Sequence, residues 1–427
     1  MRFAGTKNNR IVIVSDKKFE NNNYKIIKVP EDLNEISDID LLSNYKVHND
    51  ELVAKHSKKN INELKLAFIG NWKMKCGIST YSENLLPHII KHFKDVKLFI
   101  EENEHITSDL YTVGDKKISQ DKVVTCWKRG ESLLKLVKEI KDYNPDIILI
   151  QHEFGLWHNA RYWLSFMNQI SEYKTFVTMH SVFYHKDKTI CEAAMQNIIV
   201  HLDGAKNVLK NEKGVPGNVY VIPHGCSKPS VDRLWNFYKS DHTFMQFGFG
   251  FRYKGWENCI KAASLLKEKY NDVFFTGLFS ESTFNKQDHE IYYNDLMDLV
   301  KQYSLEENVA IIRGYQSDDS LDSYLRTNQV AIFPYTSHPE HEVFGASGAA
   351  RMAMSKSLPV ITSSINHFSD LNTIKANSAE EIAKELDALF SNKKAAEQQI
   401  VKQLEYLNNN TWEKVALKYI NIFKGVI

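Results

Sequence analysis

The 427-residue sequence lacks several features that would each indicate a particular class of protein. Its five cysteines are scattered, odd in number and without Cys-x-x-Cys or Cys/His metal spacing, which argues against a disulfide scaffold or a metal site. No apolar run approaches the roughly 20 residues that span a bilayer, and residues 1–7 lack the apolar segment of a signal peptide. We therefore expect reduced thiols and a cytoplasmic location.

The sequence also lacks an excess of charge and the common catalytic signatures. Lys and Arg number 54 against 53 Asp and Glu, so the net charge of +1 creates no general attraction to nucleic acid or membrane. There is no GxxxxGK[ST] loop and no GxSxG elbow, which argues against an ATPase and an α/β-hydrolase. With 43% hydrophobic and 25% charged residues, the composition is that of a globular protein with two or three domains.

Strand-like and helix-like segments alternate twice along the chain, which predicts two doubly wound parallel sheets. Residues 1–60 form an appended segment with strand-like runs at 10–14 and 24–29. The first α/β domain is predicted at residues 61–228 and the second at residues 229–408, with a linker at about 227–243. A C-terminal amphipathic helix within residues 409–427 is assigned to the first domain.

A Gly-rich turn at residues 342–348 carries the clearest chemistry. It follows an apolar strand at 330–334 and precedes a helical pattern at 349–356. The Glu342 carboxylate can accept hydrogen bonds from sugar hydroxyls, and a helix beginning near Ser347 and Gly348 would favour phosphate groups. A strand–turn–helix with a purely structural role would have much the same sequence.

Two other turns follow strands of the second domain. Gly248 to Gly255 contains Arg252 and Lys254, which could neutralise a diphosphate, or form a solvated basic turn. Gly314 and Tyr315 follow another strand, where main-chain groups could meet a nucleobase edge, or form an ordinary loop. Because ligands of open α/β sheets bind beyond the carboxyl ends of the strands, both turns should face one site.

In the first domain, three segments offer candidate site residues: His180 as a catalytic candidate, and His152, Glu153 and Gly77 on the acceptor side. His180 ends one strand and could hydrogen-bond a sugar hydroxyl, although a single histidine is more often structural. His152 and Glu153 end the preceding strand, and Gly77 opens the first helix.

Two loops of the first domain combine a tryptophan with basic residues. Trp72 is followed by lysines, and Trp127 is followed by Lys128 and Arg129. Indole faces stack on sugars or bases, and the cations suit a phosphate-bearing acceptor. The alternative is core tryptophan beside solvated lysine.

In order and spacing, these segments resemble the GT-B glycosyltransferases, specifically the retaining enzymes of glycosyltransferase family 4. The resemblance covers roughly residues 64–425. It is carried by residues 77–86, the strand end at His180, residues 221–225, the turn and helix at 254–263, residues 333–345, and the helix that starts at residue 412.

The resemblance implies two Rossmann-like domains facing across a cleft, with the C-terminal helix crossing back to the first. The nucleotide-sugar donor would bind the second domain as co-substrate, the acceptor would bind the first, and no metal or other cofactor would be required. Catalytic roles would fall to Glu342 on the donor sugar, to Arg252 and Lys254 on the diphosphate, and to His180 near a sugar hydroxyl. Donor contacts would come from Phe344, Gly345, Ser347, Gly348, Gly314 and Tyr315.

One position departs from the family pattern. The second glutamate of the family, which contacts the ribose hydroxyls, corresponds here to Ala350. This departure puts the ribose contact in doubt, and Arg351 or Ser347 is expected to replace it.

We therefore expect a glycosyltransferase that moves a sugar, first of all from a UDP-sugar, to an acceptor hydroxyl with retention. If the enzyme inverts instead, Glu153 or His152 is the candidate base. The acceptor would be a glycan or lipid-linked sugar. One alternative is a phage-type DNA glycosyltransferase acting on hydroxymethylated bases, which the tryptophan loops favour and the net charge does not. A second alternative is a non-catalytic GT-B domain that binds a sugar or a partner.

Overall fold

The computed structural model describes residues 3–7, 10–15, 25–29, 45–48, 51–54, 60–102, 109–184, 195–230, 242–282, 286–337 and 342–426. The chain divides into two compact units, one within residues 1–64 and one within residues 65–426. Most of the linker predicted at 227–243 lies outside the described residues.

The first unit contains a five-stranded antiparallel sheet with the strand order β3-β1-β2-β4-β5. Its strands are β1 (Phe3–Lys7), β2 (Arg10–Ser15), β3 (Lys25–Lys28), β4 (Tyr45–His48) and β5 (Glu51–Ala54). Strands β2 and β3 coincide with the two strand-like runs predicted for this segment.

The second unit begins with a seven-stranded parallel sheet with the order β10-β7-β6-β11-β12-β14-β15. The strands of this half are β6 (Lys65–Gly70), β7 (Asp95–Glu101), β8 (Thr112–Val113), β9 (Lys116–Lys117), β10 (Val123–Trp127), β11 (Ile147–His152), β12 (Lys174–Met179), β13 (Ser181–Phe183), β14 (Asn197–Val200) and β15 (Asn218–Val221). Its helices are α1 (Gly77–Ile89), α2 (Leu134–Tyr143), α3 (Ala160–Gln169) and α4 (Asp203–Asn207).

A second parallel sheet follows, with six strands in the order β18-β17-β16-β19-β21-β22. The six strands are β16 (Thr243–Phe249), β17 (Phe274–Ser280), β18 (Val309–Arg313), β19 (Val330–Phe333), β21 (Val360–Thr362) and β22 (Ile374–Lys375), and this half also contains β20 (Val343–Gly345), which lies outside the sheet. The helices are α5 (Trp256–Lys267), α6 (Lys286–Gln302), α7 (Asp318–Thr327), α8 (Gly348–Ser355), α9 (Ala379–Ser391), α10 (Lys393–Asn409) and α11 (Trp412–Val426).

Each sheet has a central strand that is buried along its whole length. Every residue of β11 and of β19 is buried, as expected for parallel strands that are covered by helices on both faces. This pattern confirms the predicted pair of doubly wound sheets.

Two contacts join the halves of the second unit. Strand β13 pairs antiparallel with β20, so that Ser181 lies opposite Gly345 and Phe183 opposite Val343. Helix α11 packs on α1 and β12 of the first half, where the Tyr419 hydroxyl lies 3.0 Å from the Tyr81 hydroxyl and 2.9 Å from Thr178 Oγ1. The predicted return of the C-terminal helix to the first domain is therefore confirmed, and the carboxyl ends of the two sheets meet at β13 and β20.

Candidate active site

His180 follows β12, and both of its ring nitrogens have partners within the protein. Nε2 lies 2.9 Å from Gln151 Oε1, and Nδ1 lies 3.5 Å from His201 Nε2. Burial, followed by the neighbouring histidines, holds the pKa of His180 well below its usual value, so the ring is neutral at pH 7. A hydrogen bond from this ring to a sugar hydroxyl would have to replace one of these contacts.

His180 belongs to a cluster of three histidines around the Tyr81 ring. Burial lowers the pKa of His201 to about 4 and the pKa of His224 well below its usual value. A Cβ added to Gly348 would lie 3.4 Å from His224 Nε2, so the cluster extends from β12 to the start of α8. His224 lies within the motif at residues 221–225, whereas His201 belongs to no motif in the sequence, and its position after the strand β14 is the available signal for it.

Lys254 is a buried cation beside the end of β16. Lys254 is the last residue of the 3₁₀ turn Arg252–Lys254 and is 8% exposed. Its Nζ lies 5.3 Å from the centre of the Tyr335 ring. Among the described residues, no carboxylate lies within ion-pair distance of Nζ. Burial works against the ammonium, but the Tyr335 and Tyr253 phenols outweigh it and the pKa of Lys254 lies above its usual value. A buried cation without a counter-ion is a typical feature of an anion site.

The main chain around Lys254 is shaped to admit its ammonium. Gly248 has a φ of +131°, and a Cβ on this residue would lie 2.8 Å from Lys254 Nζ. Gln246 Nε2 donates to the Lys254 carbonyl over 2.9 Å. The backbone conformation therefore favours glycine at 248, and any larger residue would also displace the Lys254 ammonium.

The Arg252 guanidinium, predicted to neutralise a diphosphate together with Lys254, is paired with an acidic residue of a neighbouring helix. It forms a 2.5 Å ion pair with Asp295 of α6 and lies 4.6 Å from the centre of the Tyr292 ring. The side chain is 60% exposed, so this pair contributes little to stability. Of the two cations predicted to hold a diphosphate, Arg252 is therefore already paired with a carboxylate, and the role of Lys254 stays a prediction.

The turn at residues 342–348 is held against the first half of the unit. Glu342 Oε1 accepts from Asn366 Nδ2 over 2.7 Å, and its carbonyl accepts from the Tyr184 N–H over 3.0 Å. The Phe344 ring packs onto α4, where a Cβ on Gly204 would lie 2.4 Å from the ring. Gly345 lies beside the His180 carbonyl.

Helix α8 begins at the predicted residues. Ser347 is its N-cap, with Oγ accepting from the Ala350 N–H over 3.3 Å, and Gly348 is its first residue. Arg351 is 1% exposed and bound bidentately by Asp370, while Nη1 donates to the Ser347 carbonyl over 2.9 Å. The expectation that Arg351 replaces the missing ribose contact is wrong, because its guanidinium is fully engaged within the core.

Gly314 and Tyr315 follow β18, as predicted. Gly314 has a φ of +105° and open space where a Cβ would stand. Its N–H donates to Phe279 and its carbonyl accepts from Gln316. The Tyr315 ring lies 5.9 Å from Lys75 Nζ of the first half.

The two tryptophans predicted to stack on an acceptor are core residues, which corrects that interpretation. Trp72 is 1% exposed and its Nε1 donates to the Leu110 carbonyl over 3.0 Å. Trp127 is 2% exposed and stacks on Trp157 with ring centres 4.5 Å apart. Lys128 is exposed and paired with Glu131.

Of the two predicted bases, only Glu153 is partly exposed. His152 is buried between Phe154 and Trp163, and burial lowers its pKa to about 3, which makes it a weak base. Glu153 accepts from Ser181 Oγ over 2.7 Å. Gly77 begins α1, with open space where a Cβ would stand, and its acceptor-side role stays a prediction. Among the described residues, no group of His, Cys, Asp and Glu side chains could hold a metal ion.

Residues 228–404 match the family of Glycosyl transferases group 1. A comparison with curated proteins gives no significant match. The predicted enzyme class, a glycosyltransferase, is confirmed by this domain. Among the described residues, none of the helices is long and apolar enough to cross a membrane.

Solved structures share the fold at low sequence identity. Anabaena HepE in complex with UDP is 12% identical and covers 85% of this chain and 100% of its own, with a TM-score of 0.64. Sucrose-phosphate synthase from Thermosynechococcus elongatus is 15% identical over 85% and 99%, with a TM-score of 0.63. An E. coli trehalose-6-phosphate structure bound with UDP-2-fluoro glucose is 12% identical over 85% and 99%, with a TM-score of 0.65. The predicted GT-B fold is therefore confirmed.

Proposed function

We propose that this chain, with its group 1 glycosyltransferase domain, transfers a sugar from a nucleoside-diphosphate donor to an acceptor hydroxyl with retention of configuration. The observation that carries the proposal is the buried Lys254 ammonium, which no described carboxylate neutralises, at the carboxyl end of a parallel sheet. UDP is the first nucleotide to test, because UDP or a UDP-sugar is bound in similar structures from Anabaena and E. coli.

In the proposed complex, the diphosphate lies between Lys254 and the start of α8. The first N–H groups of a helix lack partners within the helix, and the helix dipole adds positive potential there. Together with the Lys254 charge, these groups would stabilise the negative charge that grows on the leaving diphosphate. Glu342 would accept hydrogen bonds from the donor sugar.

The proposed reaction breaks the bond between the anomeric carbon and the diphosphate oxygen. The acceptor oxygen attacks the same face of the sugar, and the departing phosphate oxygen takes the acceptor proton. This route needs no base from the protein, which agrees with the low basicity of buried His152. Inversion would instead assign the base to Glu153, whose carboxylate accepts from Ser181.

The first experiment measures nucleoside-diphosphate release from UDP-, GDP- and ADP-sugars, with and without EDTA. We expect release from one donor, at an unchanged rate after EDTA, because the proposal includes no metal. NMR of the product would then give its anomeric configuration. If no donor is turned over or bound, the proposal is wrong and the non-catalytic alternative takes its place.

The DNA-glycosyltransferase alternative loses its main support in the structure. It relied on exposed indole faces at Trp72 and Trp127, and both rings are buried. We therefore propose a glycan or lipid-linked sugar as the acceptor. Binding of duplex DNA that weakens steeply with salt would reverse this preference.

A further inference from the structure

The turn that follows β21 contacts the carboxylate proposed to bind the donor sugar. Residues Asn366–Phe368 form a 3₁₀ turn, and Asn366 Nδ2 donates to Glu342 Oε1 over 2.7 Å. The Glu342 side chain is exposed, so without this amide it would have several rotamers of similar energy. Asn366 therefore fixes the direction in which the second carboxylate oxygen points.

His367, the next residue, lies within the same site. A Cβ on Gly345 would lie 3.5 Å from His367 Nε2, which places this nitrogen beside the strand that follows Glu342. The His367 ring centre is 5.9 Å from that of Tyr335 and 6.4 Å from that of Tyr253. Tyr335 is also the ring above which the Lys254 ammonium lies. The imidazole thus lies near the ring that contacts the Lys254 ammonium and beside the strand that follows Glu342.

The hydrogen-bonding state of His367 follows from its surroundings. Burial, then Lys254 and Arg351, lower the pKa of His367 to about 4, so the ring is neutral at pH 7 and carries one N–H. Its Nδ1 is buried and has no partner among the described residues. Because an orphaned buried N–H is rarer than an under-used acceptor, the proton is assigned to Nε2. The ring then presents a hydrogen-bond donor, Nε2–H, on the side that faces Gly345.

We propose that Asn366 and His367 determine which sugar the enzyme transfers. His367 donates through Nε2–H to a hydroxyl of the donor sugar, and Asn366 acts as a positioning residue that aims the Glu342 carboxylate at a neighbouring hydroxyl. This inference rests on the proposed function and adds the element that distinguishes one nucleotide-sugar from another. A hydrogen-bond donor (His367 Nε2–H) and a hydrogen-bond acceptor (the Glu342 carboxylate) held side by side suit two adjacent sugar hydroxyls. A site built this way strongly rejects a sugar that lacks one of these hydroxyls.

The test uses four variants of the full chain and the donor that the wild type turns over fastest. His367→Phe and Asn366→Ala should each lower kcat/KM about 10- to 100-fold, the range for one lost hydrogen bond to a substrate. His367→Gln should recover part of the loss, because its amide can still donate. Asn366→Asp should be worse than Asn366→Ala, because it places a second carboxylate against Glu342.

Affinity for the bare nucleoside diphosphate separates sugar recognition from general damage. Calorimetry should give values within about threefold of the wild type for all four variants, since neither residue is assigned to the nucleotide. Deoxy-sugar donors should lose less from His367→Phe than the parent donor, because the hydrogen bond is already absent. Two matched controls should behave as wild type: His242→Gln, which pairs with Asp272, and Asn392→Asp, which exchanges one good N-cap for another.

The outcomes are distinguishable. If the wild type turns over a donor and His367→Phe and Asn366→Asp both keep kcat/KM within twofold, the inference is overturned while the proposed function stands. Loss of nucleoside-diphosphate affinity in step with kcat/KM also overturns it, because the residues would then be structural. If the wild type neither turns over nor binds any donor, the proposed function and this inference fail together.

Discussion

Lys254 is the residue at which we expect a substitution to change activity strongly and stability little. We expect Lys254→Met to abolish most activity without destabilising the protein. Methionine matches the length of the lysine stem and removes only the charge. The Lys254 residue is 8% exposed and has no carboxylate partner among the described residues, so its ammonium forms no ion pair whose loss would leave another charge unpaired.

The two magnitudes follow from that environment. Removing one preorganised charge contact to a developing anion typically lowers kcat by about 10²–10³, or about 2.7–4 kcal/mol. Exchanging this lysine for an apolar side chain of similar length leaves no charge unpaired, so we expect the free energy of unfolding to change by less than about 1.5 kcal/mol. We therefore expect kcat/KM to fall at least 100-fold while Tm stays within about 3 °C of the wild type.

The assay pairs nucleoside-diphosphate release with thermal unfolding of the same preparations. Lys269→Met is the matched control, since Lys269 forms an exposed ion pair with Asp387 and both readouts should stay at wild-type values. If Lys254→Met keeps kcat/KM within threefold, the anion-site assignment is wrong. If its Tm instead falls by several degrees, the ammonium is structural and the reasoning from its burial does not hold.

Three further predictions concern the surroundings of the site. Gly204→Ala should lower kcat/KM about 10-fold, because the new Cβ would lie 2.4 Å from the Phe344 ring and displace the turn at residues 342–348. Gly425→Ala, with open space where its Cβ would stand, is the control in the same release assay. Arg351→Met should destabilise the protein by about 3 kcal/mol, measured as a fall in Tm, because it leaves Asp370 and the Ser347 carbonyl without their partner. Tm should also fall as the pH drops from 6.5 towards 4, because the pKa of His201 is about 4 in the folded chain and near 6.5 when unfolded, so only the unfolded state gains a proton in that window. His201→Gln should reduce this slope, and an unchanged slope would contradict the assigned pKa.

The parts of the site that the sequence predicts are those set by local order along the chain. An apolar run followed by a glycine-containing turn and a helix marks the carboxyl end of a parallel strand. This rule was sufficient to place His180, Lys254 and the start of α8 at strand ends. The same rule applies to Asn366 and His367 after β21, although their sequence carries no recognisable motif.

The parts that were missed depend on partners far away in the chain. Arg252 is drawn to Asp295, 43 residues later, and no local pattern distinguishes this pairing from a free cation. Strand β13 has three residues, too few for a periodic signal, and its partner β20 lies about 160 residues further on. A tryptophan beside lysines gives the same sequence whether the ring is buried or exposed, so the burial of Trp72 and Trp127 could not be read from composition.

The missing second glutamate has a structural consequence that extends beyond one lost contact. Ala350 is fully buried in the first turn of α8, and the next residue, Arg351, ties that turn to Asp370 and Tyr406. Because both residues are buried in the core of the second half, neither side chain is available to a ribose. In the proposed complex the donor is then held at its diphosphate, by Lys254 and the α8 N-terminus, and at its sugar, by Glu342. Because side-chain recognition in this proposal is concentrated at the sugar, we expect Asn366 and His367 to contribute strongly to the choice of the nucleotide-sugar.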